Sequence, residues 1–82
     1  MTRIARKGFA LWLSRHGLVA DQAVVLAARA YSVGATTPEM VDEKFARFAS
    51  SYRADLRRAV RRYGEYQAEK RAKRAGAVEV AA

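Results

Sequence analysis

The fold is decided by one long amphipathic stretch, residues 37–66, which reads TPEMVDEKFARFASSYRADLRRAVRRYGEY. At 100° per residue, its apolar side chains project within an arc of roughly 120°. These side chains are Val41, Phe45, Phe48, Ala49, Tyr52, Leu56, Ala59, Val60, Tyr63 and Tyr66. Lysines and arginines fill most of the remaining circle. The separation of the two groups predicts a single long amphipathic helix, helix 3.

The start of helix 3 is marked by its capping residues. Thr37 suits the N-cap position, and Pro38 suits the first helical position, where its missing N–H costs nothing. The acidic residues Glu39, Asp42 and Glu43 follow and complement the positive end of the helix dipole.

The end of the apolar stripe divides the chain. After Tyr66, the same helix face presents Lys70 and then Arg74, which have no apolar surface to bury. We therefore predict a helical domain over residues 1–66, followed by a basic helical extension with a mobile tail over residues 67–82.

The length of helix 3 creates a conflict with a compact domain. About 37 residues of helix span roughly 55 Å, whereas a domain of this size is only about 25–30 Å across. Helix 3 must therefore protrude, break near Gly64, or pack against a second copy. The stripe from Phe45 to Tyr66 alternates steps of four and three residues, a heptad spacing that leaves a homodimer through helix 3 open.

Two shorter helices are predicted before helix 3. Helix 1 covers about residues 3–16, because Phe9, Trp12 and Leu13 share one face, and Gly17 suits the left-handed position that ends a helix. Helix 2 begins with Asp21 as its N-cap and runs to about Val33, after which Gly34 ends it. Since helix 2 is apolar on most sides, we expect it in the centre of the domain. The predicted fold is all-α: a three-helix domain in which the two short helices form a hairpin packed on the long C-terminal amphipathic helix with its basic extension.

Composition limits the classes of protein. The 82 residues, 51% of them hydrophobic, suit one small folded domain. The absence of cysteine excludes disulfides and thiolate chemistry and fits a reducing compartment, so we expect a cytoplasmic protein. No run approaches the ~20 apolar residues that span a bilayer, and Arg15 and His16 interrupt the stretch that a cleavable signal would need.

Catalytic and metal-binding constellations are missing from the sequence. The single histidine, His16, has no cysteine or suitably spaced carboxylate to join it around a metal. Ser14 lies two residues from His16, so the two side chains point in different directions on a helix. Glu65 and Glu69 are spaced like an acid pair but read as solvated side chains among arginines. We therefore expect no enzyme, no cofactor and no small-molecule substrate.

The charge points to an acidic partner. The formal net charge is +8, and residues 44–74 hold eleven lysines or arginines against three acids. Arginine binds phosphate well because its planar fork donates two parallel hydrogen bonds. The predicted binding residues are Arg53, Arg57, Arg58, Arg61, Arg62, Lys70, Arg71, Lys73 and Arg74. A secondary basic patch comprises Arg3, Arg6 and Lys7.

These residues predict a non-catalytic protein that binds nucleic acid, DNA or RNA, with low sequence specificity, because phosphate contacts carry no sequence information. The alternative is a small adaptor or inhibitor, of a size that suits a phage or mobile element, which docks its basic face on an acidic protein surface. We do not expect membrane binding, because the apolar face of helix 3 is needed by helices 1 and 2.

Two further patterns in the sequence have simpler explanations than nucleic-acid recognition. Ala30, Gly34 and Met40 match apolar and turn positions of a helix-turn-helix motif, but the acids that open helix 3 would repel DNA where a recognition helix should face it. The tyrosines of helix 3 could stack on bases. They lie on the apolar stripe, so we expect them to pack in the core instead.

Overall fold

The computed structural model describes the backbone of residues 3–81 and the side chains of residues 3–74. Four helices follow one another: α1 (Arg6–Arg15), α2 (Ala20–Ser32), α3 (Pro38–Lys44) and α4 (Ser50–Ala81). No strand occurs in the described part of the chain. The all-α fold, with a long C-terminal helix packed against shorter ones, is therefore confirmed.

The long helix α4 is the element on which the others assemble. Both α2 and α3 pack along it, and α1 packs mainly on α2 and touches α4 as well. Helix α2 packs on both α4 and α1, but it is not enclosed on all sides, because Val25 is 54% exposed. The side chains of α2 that are buried are Ala27, Ala30 and Tyr31.

Both predicted glycine stops are confirmed. Gly17 has a φ of +69°, and the next N–H, that of Leu18, donates to the carbonyl of Leu13 at 2.9 Å. Gly34 has a φ of +83° and is followed by an equivalent 2.9 Å bond that closes the end of α2. In each case the N–H that follows the glycine satisfies a carbonyl of the last helical turn.

The start of α2 differs from the prediction. Asp21 is not the N-cap: Val19 occupies that position in extended conformation, without a side-chain cap, and Asp21 lies in the first turn. The glycine turn after α1 is short enough for α2 to begin at Ala20, one residue before the expected cap. Asp21 there still complements the positive helix end.

The start of α1 is set by a contact from the other end of the chain. The N–H of Ala5 donates to the hydroxyl of Tyr63 at 2.9 Å. This bond holds residues 3–5 outside the helix, so α1 begins at Arg6 rather than at residue 3. Ile4 is buried in the core instead of lying on an exposed helix turn.

The predicted helix 3 is two helices rather than one. Thr37 caps α3 as expected, accepting from the N–H of Met40 at 3.3 Å. Helix α3 ends at Lys44, with Phe45 as its C-cap, and the chain turns over residues 45–49 before α4 begins. The break lets Val41 and Phe45 fold back and become buried, while Phe48, expected in the core, is 49% exposed. Gly64 lies inside α4 and does not interrupt it.

The core is rich in aromatic rings. Phe9 is fully buried, with its ring centroid 5.0 Å from that of Tyr63, 5.8 Å from that of Tyr66 and 6.2 Å from that of Trp12. The ring of Tyr31 meets that of Tyr63 edge-on, with centroids 5.0 Å apart. Burial raises the pKa of the Tyr31 hydroxyl, and the nearby Tyr63 adds to this effect. The prediction that the tyrosines of the stripe pack inside the domain is thus correct for Tyr63, whereas Tyr52 and Tyr66 are half-buried against the core.

Packing on α4 continues slightly past Tyr66. Tyr31 donates its hydroxyl to Gln67 at 3.4 Å, and Trp12 donates to Glu69. Residues 70–74 are exposed, and the helical backbone runs on to Ala81, giving the molecule an elongated shape of 50 × 24 × 18 Å. The mobile tail was predicted for the last part of residues 67–82. It lies beyond residue 74, where the side chains are outside the described part of the chain. No helix in the described part is long and apolar enough to cross a membrane.

Candidate functional site

The five arginines expected to form the binding face of α4 are called here the arginine row: Arg53, Arg57, Arg58, Arg61 and Arg62. The turn at residues 45–49 folds α3 back beside this row and brings Asp42 to it. The carboxylate of Asp42 lies 2.5 Å from the guanidinium of Arg57 and 3.7 Å from that of Arg53. Two members of the row are therefore paired by an acid from another helix.

Two more members of the arginine row face acids on α4 itself. Arg58 lies 3.7 Å from Asp55, and Arg62 lies 3.6 Å from Glu65. Among residues 3–74, Arg61 is the member of the row without an ion pair. Exposed pairs at these distances are worth at most about 1 kcal/mol. These acids place negative charges among the arginines, however, so the positive electrostatic potential of the arginine row is weaker than the sequence predicted.

Arg53 is poorly placed for a ligand. Its side chain is only 28% exposed, and its Nε atom is buried without a hydrogen-bond partner in the described part of the chain. Its aliphatic stem is therefore part of the packing between α3 and α4. We assign it no direct role in binding.

The fold joins the two remaining predicted basic groups into one surface. The bond from Ala5 to the hydroxyl of Tyr63 brings the N-terminal residues alongside the C-terminal half of α4. A groove of about 210 Å³, the central groove, is lined by Ala5 together with Lys70, Arg71 and Arg74. A second groove, the α2 groove, lies on the other side of Ala5, has a volume of about 710 Å³, and is lined by Arg3, Arg6 and Lys7.

We call this surface the basic end, formed by Arg3, Arg6, Lys7, Lys70, Arg71 and Arg74. Among residues 3–74, none of the six forms an ion pair with an acid. Lys70 lies over the ring of Tyr66, with its Nζ atom 6.0 Å from the ring centroid. The secondary patch and the extension, which the sequence presented as separate, therefore both line grooves that border Ala5, and together they hold six positive charges without an ion pair in the described part.

A third groove, the tryptophan groove, lies between α1 and α4 beside the basic end. Its volume is about 230 Å³, and its lining includes Leu11, Trp12, Tyr66, Arg15 and Lys73. Sequence reasoning did not select Arg15 or the apolar floor for this site. The available signal was that Gly8, Leu11 and Arg15 share one face of helix 1, with a glycine where two helices approach closely.

Glu69 is the one acid in the lining of these three grooves. Its carboxylate accepts from the indole Nε1 of Trp12 at 2.5 Å and lies 3.4 Å from Lys73 and 3.8 Å from His16. The bond from Trp12 is the main cause that lowers the pKa of Glu69 below its ordinary value of 4.5, and Lys73 adds to it. Glu69 is therefore charged at neutral pH and already engaged with groups of the protein.

This geometry predicts a pH-dependent signal from Trp12, the chain's one tryptophan. Because the pKa of Glu69 is lower in the folded protein, its contribution to stability is present above the ordinary value and is lost as pH falls through the lowered one. Protonation of Glu69 weakens its bond to the indole of Trp12, so Trp12 fluorescence should change in the range below pH 4.5. Glu69→Gln keeps an acceptor but cannot titrate, so its fluorescence should lack this step. The same step in both proteins would contradict the assignment.

The site offers no evident place for a metal. Within the part of the chain whose side chains are described, no group of three His, Asp or Glu residues could hold an ion. His16 is the C-cap of α1, and its ring lies against Trp12 with centroids 4.3 Å apart.

Comparison with protein-family models, with curated proteins and with solved structures found no match to this chain.

Proposed function

We propose that this protein binds nucleic acid without catalysing a reaction, mainly through contacts to phosphate groups and with low sequence specificity. The observation that carries the proposal is the basic end. Two positive segments from opposite parts of the chain lie side by side there, and none of their six charges is paired within residues 3–74. A concentration of unpaired arginine and lysine is what a polyanion requires.

The basic end and the arginine row have different roles in this proposal. The basic end makes the main phosphate contacts, because its side chains are exposed and none of them forms an ion pair within residues 3–74. Arg58, Arg61 and Arg62 of the arginine row add a weaker attraction along α4. Arg57 is held by Asp42 and must exchange that partner to reach a phosphate. Phosphates are common to all sequences, so discrimination among sequences should be small.

Salt-dependent binding tests the proposal. Labelled random-sequence duplex and single strand are titrated with protein at several salt concentrations and followed by fluorescence anisotropy. Affinity should fall steeply with salt, with a log–log slope of about −0.9 per phosphate contacted on duplex and about −0.7 on single strand. Absence of binding at low salt would overturn the proposed function.

Two variants that each remove four charges locate the contacts. The first replaces Arg6, Lys70, Arg71 and Arg74 of the basic end by glutamine, and the second replaces Arg57, Arg58, Arg61 and Arg62. The first should lose most of the affinity and several units of salt slope, whereas the second should lose less. The opposite order would leave nucleic-acid binding intact but would move the site to the arginine row.

A specific observation supports the alternative of an acidic protein partner. A groove of about 220 Å³ lies between the α1–α2 turn and α4, with Leu18 and Leu26 in its lining and Arg58 and Arg62 along α4. Val19 at this groove is 79% exposed. An apolar floor beside arginines suits an acidic amphipathic segment. On this alternative, Arg58→Glu with Arg62→Glu should release a protein partner, and nucleic acid should not affect its capture.

A further inference from the structure

We infer that the basic end binds a single strand rather than a duplex, and that the strand runs through the central and tryptophan grooves. This inference rests on the proposed function and specifies its ligand. It depends on three features of the described residues: the two grooves share lining residues, the lining includes apolar and aromatic side chains, and the rims are basic.

The arrangement of the grooves follows from shared lining residues. Tyr66 and Lys70 line both the central groove and the tryptophan groove. Ala5 lines both the central groove and the α2 groove. The central and tryptophan grooves are therefore neighbours that meet at Tyr66 and Lys70, and we call these two grooves together the track.

The floor of the track can receive bases. In the tryptophan groove, Leu11 is 60% exposed, Tyr66 is half-buried with Lys70 over its ring, and Trp12 is buried. The hydroxyl of Tyr66 occupies the space over Gly8, so the surface open to a base is Leu11 and the exposed part of Tyr66. Only unpaired bases can stack on aromatic and apolar side chains, because the bases of a duplex are already stacked on one another.

The rims of the track can hold the phosphates between those bases. Arg15 stands at the tryptophan groove, Lys70 stands at the junction, and Arg71 and Arg74 stand at the central groove. The charge of Glu69, the acid in this lining, is compensated by Lys73 and by the N–H of Trp12. A flexible strand can follow these rims around the surface of the protein, whereas a stiff duplex would meet only their outermost charges.

Trp12 supplies a readout specific to the track. It is the single tryptophan of the chain and lies in the lining of the tryptophan groove. Trp12 is buried and bonded to Glu69. A strand bound in this groove should therefore change its emission by altering the surroundings of that bond, whereas an anion bound on the arginine row should not. Polyphosphate, which has charge but no bases, serves as the control for a purely electrostatic response.

The test compares an oligothymidine strand with a duplex of equal length, by anisotropy and by Trp12 emission in the same titration. We expect the single strand to bind about tenfold more tightly at equal salt and to change Trp12 emission more than polyphosphate does. Replacing Arg15 and Lys70 by glutamine should weaken single-strand binding about tenfold, and the matched pair Arg58→Gln with Arg61→Gln should weaken it much less.

The outcomes separate this inference from the proposed function. Equal affinity for duplex and single strand, or tighter single-strand binding with no response beyond that of polyphosphate, would overturn the track but leave nucleic-acid binding standing. Failure of both nucleic acids to bind would overturn the two together. Equal losses in the two glutamine variants would also remove the track as the site.

Discussion

Replacing Phe9 by alanine should lower the free energy of unfolding by about 3–5 kcal/mol. The side chain is fully buried, and its ring touches Trp12 on its own helix and Tyr63 and Tyr66 on α4. Its removal leaves a cavity at the point where α1 meets α4. A chain of this size has a total stability of roughly 4 to 12 kcal/mol, so the loss is a large share of the whole.

The measurement is urea unfolding followed by circular dichroism. Leu11→Ala is the matched control, because it lies two residues away on α1 and its side chain is 60% exposed. That change should alter stability by no more than about 0.5 kcal/mol. Similar midpoints for the two variants would show that α1 does not pack on α4 through Phe9.

Replacing Gly8 by alanine should destabilise the protein by about 1–3 kcal/mol, although alanine favours helix over glycine by about 1 kcal/mol. The added methyl group would fall on the hydroxyl of Tyr66, and no hydrogen bond of that hydroxyl is found among the described residues. Adding Tyr66→Phe removes the obstructing oxygen. The nearest ring carbon then lies 3.2 Å from the new methyl group, so a small shift suffices.

Thermal unfolding of the four proteins in this double-mutant cycle measures the coupling. The double variant should recover most of the stability lost by Gly8→Ala, while Tyr66→Phe alone should change little. Gly64→Ala is the control for helix propensity, since a Cβ at Gly64 meets nothing within 4 Å. It should stabilise α4 slightly. Equal stabilisation by both alanines would contradict the close approach of α1 to Tyr66.

The helix ends were predictable wherever a local residue determines them. Gly17 and Gly34 adopt the left-handed conformation that other residues avoid, and the hydroxyl of Thr37 caps its own helix. The turn over residues 45–49 was not predictable, because its two phenylalanines, two alanines and one arginine are compatible with a helix and keep the apolar period. That turn is decided by burial: an unbroken helix would carry Val41 and Phe45 away from the core.

The candidate site was predictable as a set of residue types but not as an arrangement. Composition alone indicated a positive surface. The pairing of Arg57 with Asp42 depends on α3 folding back, and the basic end depends on the bond between Ala5 and Tyr63. Both are contacts between residues distant in sequence, which neither periodicity nor motif spacing can show.

The contact between α1 and the far half of α4 has a consequence for the order of events during synthesis. Ala5 bonds to Tyr63, and Trp12 bonds to Glu69, across 58 and 57 positions of the chain. While the ribosome is still making α4, α1 can pack on α2, but Phe9 lacks its partners Tyr63 and Tyr66. Its ring should therefore stay partly exposed or bound by a chaperone, and closure onto α4 should follow only after residue 69 has left the ribosome.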